Sequence, residues 1–330
     1  MPATPNHRPT MQDIRKPVQT ELDAVNRLTI ANLESDVALV ENIGHYIVEA
    51  GGKRLRPLLA LLGARCCEYR GEEHIKFATL VEFIHTATLL HDDVVDISTL
   101  RRGRPTANTE FGNASSVLVG DFLYTRAFQL MVEIGDMDIM RDMATTTNMI
   151  AAGEVLQLVK AGDPETSEAQ YLDIITRKTA ILFASACFGG AALSGQAQSL
   201  GEPLRNFGLN TGIAFQIIDD VLDYEGDPAE MGKNIGDDLN EGKPTLPLIH
   251  VMQTGNSQQK AIVAGAIRDR DAGRLEEVLV ALKETGSIDY ARQKARHYQR
   301  LAVQALAQLP ANSFRDSMAA IADLAIHRNQ

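Results

Sequence analysis

Apolar residues recur three and four positions apart along nearly the whole chain. Leu22, Val25, Leu28, Leu33, Val37 and Val40 form one such series, and Leu80, Phe83, Ile84, Ala87, Leu90 and Val94 form another. Strict alternation at period two, the mark of a half-buried strand, is sustained nowhere. A stripe that returns every 3.6 residues buries itself against other helices, so the chain is predicted to be all-α. Aromatic residues make up only 5% and Trp is absent, while Ala and Leu abound, which suits close helix-on-helix packing. The expected architecture is a single large helical bundle of about ten helices or more.

The breaks in the pattern, among them Gly51-Gly52, Arg101 to Pro105, Gly226-Asp-Pro228 and Gly242-Lys-Pro244, are too short to be interdomain linkers. Residues 17–330 are therefore read as one domain, preceded by a polar, Pro-rich flexible arm over residues 1–16 that lacks the apolar centre of a signal peptide. The longest weakly polar stretch, Ala180 to Gly195, falls short of the roughly 20 apolar residues that span a bilayer, so no membrane insertion is expected. Cys66, Cys67 and Cys187 are odd in number and fit neither a zinc site nor a disulfide framework, which points to a reducing, cytoplasmic setting. With a formal net charge of −11 the surface repels nucleic acid and anionic lipid. An anionic ligand must then be held by a local group of Lys and Arg or by bound metal.

Two strings carry the chemistry. HDDVVD, residues 91–96, ends one apolar segment, and IDDVLD, residues 218–223, ends another. On a helix, Asp92 and Asp96 share a face, as do Asp219 and Asp223, while Asp93 and Asp220 are turned about 100° away. Like charges so spaced destabilise a helix by roughly 0.2–0.5 kcal/mol per pair, and at a C-terminus the macrodipole adds to the penalty. One DDxxD alone reads equally well as a solvated charge cluster; two copies shift the balance towards a site. Oxygen-only clusters without Cys or His at ligand spacing suit hard cations, and Mg²⁺ is usually held by one or two carboxylates with phosphate and water. Neither loop has the twelve-residue pattern of a calcium-binding hand.

Basic residues follow each string. Arg101 and Arg102 come after the first and Lys233 and Lys243 after the second, and Lys53, Arg54 and Arg56 form an earlier cluster. Arg forks and Lys point charges are the groups that hold phosphate. The acids and bases together predict a metal-bridged phosphate ligand.

The blocks GGKRLRP (51–57), FIHTATLLHDDVVD (83–96), RRGRPT (101–106), RKTA (177–180), FQIIDDVLD (215–223) and GKNIGDDLNEGKPTLPL (232–248) resemble those of the trans-polyprenyl diphosphate synthases, most closely the bacterial members that make octaprenyl chains. The resemblance implies the isoprenoid synthase fold and a transferase, usually a homodimer, that condenses isopentenyl diphosphate with an allylic diphosphate such as farnesyl diphosphate. It implies a C40 or C45 product for a respiratory quinone side chain, and two or three Mg²⁺ per active site. Carried over by position, Asp92 and Asp96, supported by Asp93, hold Mg²⁺ on the allylic diphosphate, and Asp219, with Asp220 and Asp223, holds a further ion. Arg101, Lys178 and Lys233 neutralise that diphosphate. Lys53, Arg56, His85 and Arg102 form the isopentenyl diphosphate pocket, and Thr179 and Gln216 face the reacting carbon. Apart from the resemblance, His85 would read as an ordinary core histidine.

The prenyl tail is expected to run down the bundle from the first string. Ala87, five residues before Asp92 and about 7.5 Å deeper, is small, and so is Thr88 beside it. Short-chain members of the family carry a bulky aromatic at this level, so the path is predicted to be open. The next helix, expected over Ser115 to Ile134, offers Tyr124, Phe128 and Met131 on one face, with Met131 as the floor. Its apolar faces, Val117 to Met131, are candidates for a dimer contact. Release of a long product predicts only transient membrane contact. Two rivals are a non-catalytic subunit that binds prenyl diphosphate and a synthase of C15–C20 products. The first would be expected to lack one acidic string or its basic loop, and the second to block the path at Ala87.

Overall fold

Helices take up most of the described chain, as the periodicity predicts. The computed structural model describes residues 9–49, 51–225 and 235–327. In chain order the helices are α1 (Met11–Arg15), α2 (Gln19–Ala31), α3 (Ala38–Glu49), α4 (Leu55–Cys66), α5 (Glu73–Val95), α6 (Ala107–Phe111), α7 (Asn113–Ile134), α8 (Met137–Lys160), α9 (Glu168–Ile175), α10 (Ile181–Leu193), α11 (Ala197–Glu225), α12 (Asp237–Asn240), α13 (Leu246–Thr254), α14 (Ser257–Asp269), α15 (Leu275–Glu284), α16 (Ser287–Leu306) and α17 (Ser313–Ile326). Between α9 and α10 the chain makes a π-helical turn over Thr176–Ala180. Among the described residues the only sheet is a hairpin, β1 (Leu100–Arg101) with β2 (Arg104–Pro105), in the register Leu100↔Pro105 and Arg101↔Arg104.

The most apolar segment lies at the centre. Every residue of α10 from Leu182 to Ala192 is buried, so α10 must meet neighbours on all sides. Glycine makes the approach close enough: a Cβ on Gly190 of α10 would lie 2.3 Å from the Gly63 carbonyl carbon of α4. One on Gly208 of α11 would lie 2.3 Å from the Phe183 carbonyl oxygen. Alanine at either place would force the helices apart, at a cost of about 1–3 kcal/mol. α11 contributes to all three buried clusters, through Phe207 to the first, Ile217 to the second and Tyr224 to the third. No described helix is long and apolar enough to cross a membrane.

The described part of the predicted arm is docked. Thr10 and Asp13 form a capping box at α1, and Ile14 and Val18 are buried in the core. The Arg15 guanidinium donates to the Lys53 carbonyl oxygen at 2.8 Å. A polar, Pro-rich composition hid one apolar anchor, Ile14, and residues 1–8 lie outside the described residues.

Candidate active site

α5 and α11 bring their acidic C-terminal ends to one cleft. On the α5 wall, Lys178 Nζ lies 2.6 Å from Glu154 Oε2 and 3.4 Å from Asp92 Oδ2. Lys243 Nζ lies 3.0 Å from Asp96 Oδ2 and pairs with Glu241. Burial works against both ammoniums, yet the carboxylates beside them outweigh it and raise both lysines above their ordinary pKa. Glu154 is pushed up to about 7 by burial and the Asp92 charge, and Glu241 to about 7 by burial, with Lys243 opposing. Four carboxyl groups thus face two ammoniums, an excess of negative charge that calls for cations.

The donor set fits a hard ion, since it is oxygen throughout with no thiol or imidazole. Among the described residues no three acids converge tightly enough to enclose an ion by themselves. Such an ion would complete its shell with phosphate oxygens and water, which is how Mg²⁺ is commonly held.

The middle acid of the first string is turned inward. Asp93 is 4% exposed and accepts from Arg101 Nε at 2.8 Å and Nη2 at 2.6 Å. Burial raises its pKa despite that partner. Asp93 thus anchors Arg101 and, through it, the hairpin.

The second wall differs. Asp220 accepts from the Tyr171 hydroxyl at 2.6 Å and from Gln216 Nε2 at 2.8 Å, and the Thr179 hydroxyl donates to Gln216 Oε1 at 2.9 Å. This chain of bonds sets which way the Gln216 amide points. Burial, reinforced by the charge of Asp238, raises Asp220 well above the ordinary carboxylate range. Asp223 is fully buried; its Oδ2 accepts from the Asp238 backbone N–H at 3.2 Å and its carbonyl from Gly236 at 3.0 Å. It holds the turn that precedes Lys243 and is shut inside the protein, where a shared i, i+4 face with the half-buried Asp219 predicts a second open carboxylate. Asp219 is half-buried, between the buried Ile218 and Asp220. Thr179, Gln216, Asp220, Lys178, Lys243 and Tyr171 line a pocket that is open to solvent.

Lys178 and Thr179 sit in the π-helical turn, whose extra residue per turn projects them inward. α8 backs this turn closely: a Cβ on Gly153 would lie 2.8 Å from the Lys178 backbone nitrogen. That approach sets Glu154, the next residue, against Lys178.

In the basic pocket Arg56 Nη1 and His85 Nε2 are 3.0 Å apart, and the Arg56 guanidinium stacks 4.5 Å from the Phe183 ring centre. A guanidinium only donates, so Nε2 accepts and Nδ1 carries the imidazole proton. Burial first, then Arg56, Arg102, Arg101 and Arg54, hold His85 well below its ordinary pKa and keep it neutral. Lys53 is exposed on the adjoining loop, and Arg102 packs against the same loop, its guanidinium 2.8 Å from where a Cβ on Gly52 would stand. Lys233 lies outside the described residues.

Below the first string, Ala87 and Met131 are both buried and share one core cluster. Thr88 is half-buried, and its hydroxyl donates to the His85 carbonyl at 2.8 Å. Phe128 is 39% exposed, so Tyr124, Phe128 and Met131 do not form one inward face. The helical repeat placed them together, but the neighbouring helices cover only the side that bears Met131.

Sequence reasoning missed Glu154, Glu241 and Tyr171. Glu154 and Tyr171 meet their partners only across helices, and Glu241 stands among other acids of its loop, so the sequence singles out none of them. Lys243 stood in the basic loop, but nothing in the sequence paired it with Asp96, 147 positions away.

Acid walls facing across an ammonium-lined cleft, beside a neutral histidine among arginines, define a helical prenyltransferase that works on diphosphates. The profile of the polyprenyl synthetase family matches residues 37–284, and the chain belongs to that family. It is 48% identical to an octaprenyl diphosphate synthase of Haemophilus influenzae over 97% of this chain and 98% of that protein. It is 46% identical to a geranyl-diphosphate-specific all-trans-nonaprenyl-diphosphate synthase of Rhodobacter capsulatus, over 97% of this chain and 98% of that one. Among solved structures, a polyprenyl synthase from Caulobacter crescentus, complexed with calcium and isoprenyl diphosphate, superposes with a TM-score of 0.94 at 41% identity. That match covers 99% of this chain and 100% of that one.

Proposed function

We propose that the protein is a long-chain trans-polyprenyl diphosphate synthase, adding isopentenyl diphosphate units to farnesyl diphosphate until a C40 or C45 chain is reached, for a respiratory quinone side chain. The observation that carries this reading is the ammonium pair Lys178 and Lys243, each set between carboxylates at the rim of the Thr179–Gln216 cavity. Departure of diphosphate from an allylic carbon leaves a cation and a polyanion. In this reading Lys178, Lys243 and Arg101 take up the anion's charge, and the fixed dipoles of Thr179 and Gln216 stabilise the cation without trapping it. Asp92, Asp96 and Asp219 would hold two or three Mg²⁺, which would supply Lewis-acid stabilisation of the leaving diphosphate. Neutral His85, with its proton on Nδ1, donates to isopentenyl diphosphate beside Arg56, Lys53 and Arg102. The apolar helices beneath the acids exclude water, which would otherwise quench the cation.

Exposed apolar side chains on α7 and α8, among them Val117, Leu118, Val132, Val155 and Val159, support a homodimer through this face. The spread of α11 across all three buried clusters supports a single domain. We place the enzyme in the cytoplasm, touching membrane only as product leaves.

The test is a product assay with Mg²⁺, farnesyl diphosphate and excess isopentenyl diphosphate, read by mass spectrometry beside an EDTA control. A magnesium-dependent C40 or C45 end point is expected. Metal-dependent binding of farnesyl diphosphate without product would make the chain a non-catalytic subunit, and a C15–C20 end point a short-chain synthase. Ala87→Phe is expected to truncate the product and Met131→Ala to lengthen it. Unchanged lengths in both variants would remove the tail path beneath Asp92.

A further inference from the structure

One buried carboxylate in the basic pocket takes no part in the chemistry above. Glu82 lies on α5 three residues before His85, is 6% exposed and forms an ion pair with Arg54. Arg54 is the residue at which the loop turns into α4, directly after Lys53 and two residues before Arg56. Its φ of +48° is left-handed, a conformation that a non-glycine residue keeps only where its surroundings enforce it. Arg102, at φ +55°, is held in the same unusual way, packs against Gly52 of that loop and feels the charge of Glu82. Arg54, Arg56, Arg101 and Arg102 are all near enough to act on His85. Guanidiniums gathered this closely repel one another unless an opposite charge lies among them.

Resting on the proposed reading of this pocket, we infer that Glu82 is a positioning residue for isopentenyl diphosphate: clamped to Arg54, it holds the loop reversal that aims Lys53, Arg56 and Arg102 at one point. The sign of its effect is diagnostic. A carboxylate that acted only through its charge would repel a diphosphate, and Glu82→Gln would then tighten binding. A positioning carboxylate predicts the reverse.

Elongation rates with Mg²⁺ are measured while each diphosphate is varied in turn. Glu82→Gln is expected to raise KM for isopentenyl diphosphate about tenfold and to leave KM for farnesyl diphosphate within about twofold. Arg54→Met should do the same. The double variant, in which neutral groups of similar size replace the pair, should be no worse than the poorer single, because the two act as one unit. That double variant also keeps the test open if either single leaves an unpaired buried charge and folds poorly. Arg56→Lys serves as the reference for the pocket itself. If Arg56→Lys raises KM for isopentenyl diphosphate while Glu82→Gln leaves it unchanged, lowers it, or raises both KM values alike, the inference is overturned and the pocket reading stands. If Arg56→Lys has no effect on that KM, the pocket reading falls and the inference falls with it.

Discussion

The two DDxxD strings have the same spacing and are used differently. In the first, both outer acids lie at the cleft, each against a lysine, Asp92 with Lys178 and Asp96 with Lys243. In the second, Asp219 is half-buried, whereas Asp223 is fully buried against the turn that precedes Lys243. The middle acids behave alike. Asp93 grips Arg101 and Asp220 grips Gln216, so each string spends one carboxylate on holding another residue of the site. Helical phase explains the likeness, since a residue 100° from its neighbour faces the next helix or loop and must find a donor there. What packs against each helix end explains the difference.

The largest effects should separate the half-buried outer acids from the one shut inside the protein. Asp92→Asn and Asp219→Asn are each expected to lower kcat by about a thousandfold, or several kcal/mol of metal-borne stabilisation. Asp223→Asn should mainly lower thermal stability, by about 1–3 kcal/mol, as for one compromised buried acceptor. If Asp223→Asn matched Asp219→Asn in kcat at unchanged stability, the asymmetry between the strings would be wrong.

The pH dependence of stability should belong to the first wall. Glu154 rises from 4.5 to about 7 on folding, so the folded protein binds more protons between those values and loses stability as pH climbs through them. The loss is at most about 3 kcal/mol, because Glu154 remains partly open to solvent. Denaturant melts at pH 5 and pH 8 in EDTA should show this loss in the wild type and a smaller one in Glu154→Gln, and added Mg²⁺ should reduce it. Equal pH slopes in the two proteins would count against it. His74, held down to about 4 by burial, tilts stability the other way below pH 6.5 but is common to both proteins.

A smaller effect tests the shared role of the middle acids. Asp220→Asn is expected to lower kcat about 10- to 100-fold while the Mg²⁺ concentration for half-activity moves less than about twofold, since it disturbs Gln216 and not the ion. A large shift in that concentration would return Asp220 to the metal shell. Smallest of all, Tyr171→Phe removes one bond to Asp220 and should lower kcat about tenfold with both KM values unchanged. An unchanged kcat would show that Gln216 holds its orientation without Tyr171.

Much of this was legible in the residues themselves. The three-and-four repeat specified helices because burial of an apolar stripe depends only on local phase, and the helix over Ser115 to Ile134 was placed within two residues of its observed start at Asn113. The acidic strings and the basic residues near them were legible because their charges are adjacent in sequence. What stayed hidden was every pairing between distant segments. Examples are Lys243 with Asp96, Tyr171 with Asp220, Glu82 with Arg54, and the docking of Ile14 from a stretch that looked like an arm.

The chain's own order of residues therefore determined the helices, the faces they could bury and the kind of charge carried at their ends, since these follow from spacing over a few residues. The tertiary structure alone decided which carboxylate meets a lysine, which meets an amide and which is shut inside. Those choices depend on how closely α4, α8, α10 and α11 approach their neighbours, set by Gly153, Gly190 and Gly208, and on what each helix end meets across the gap.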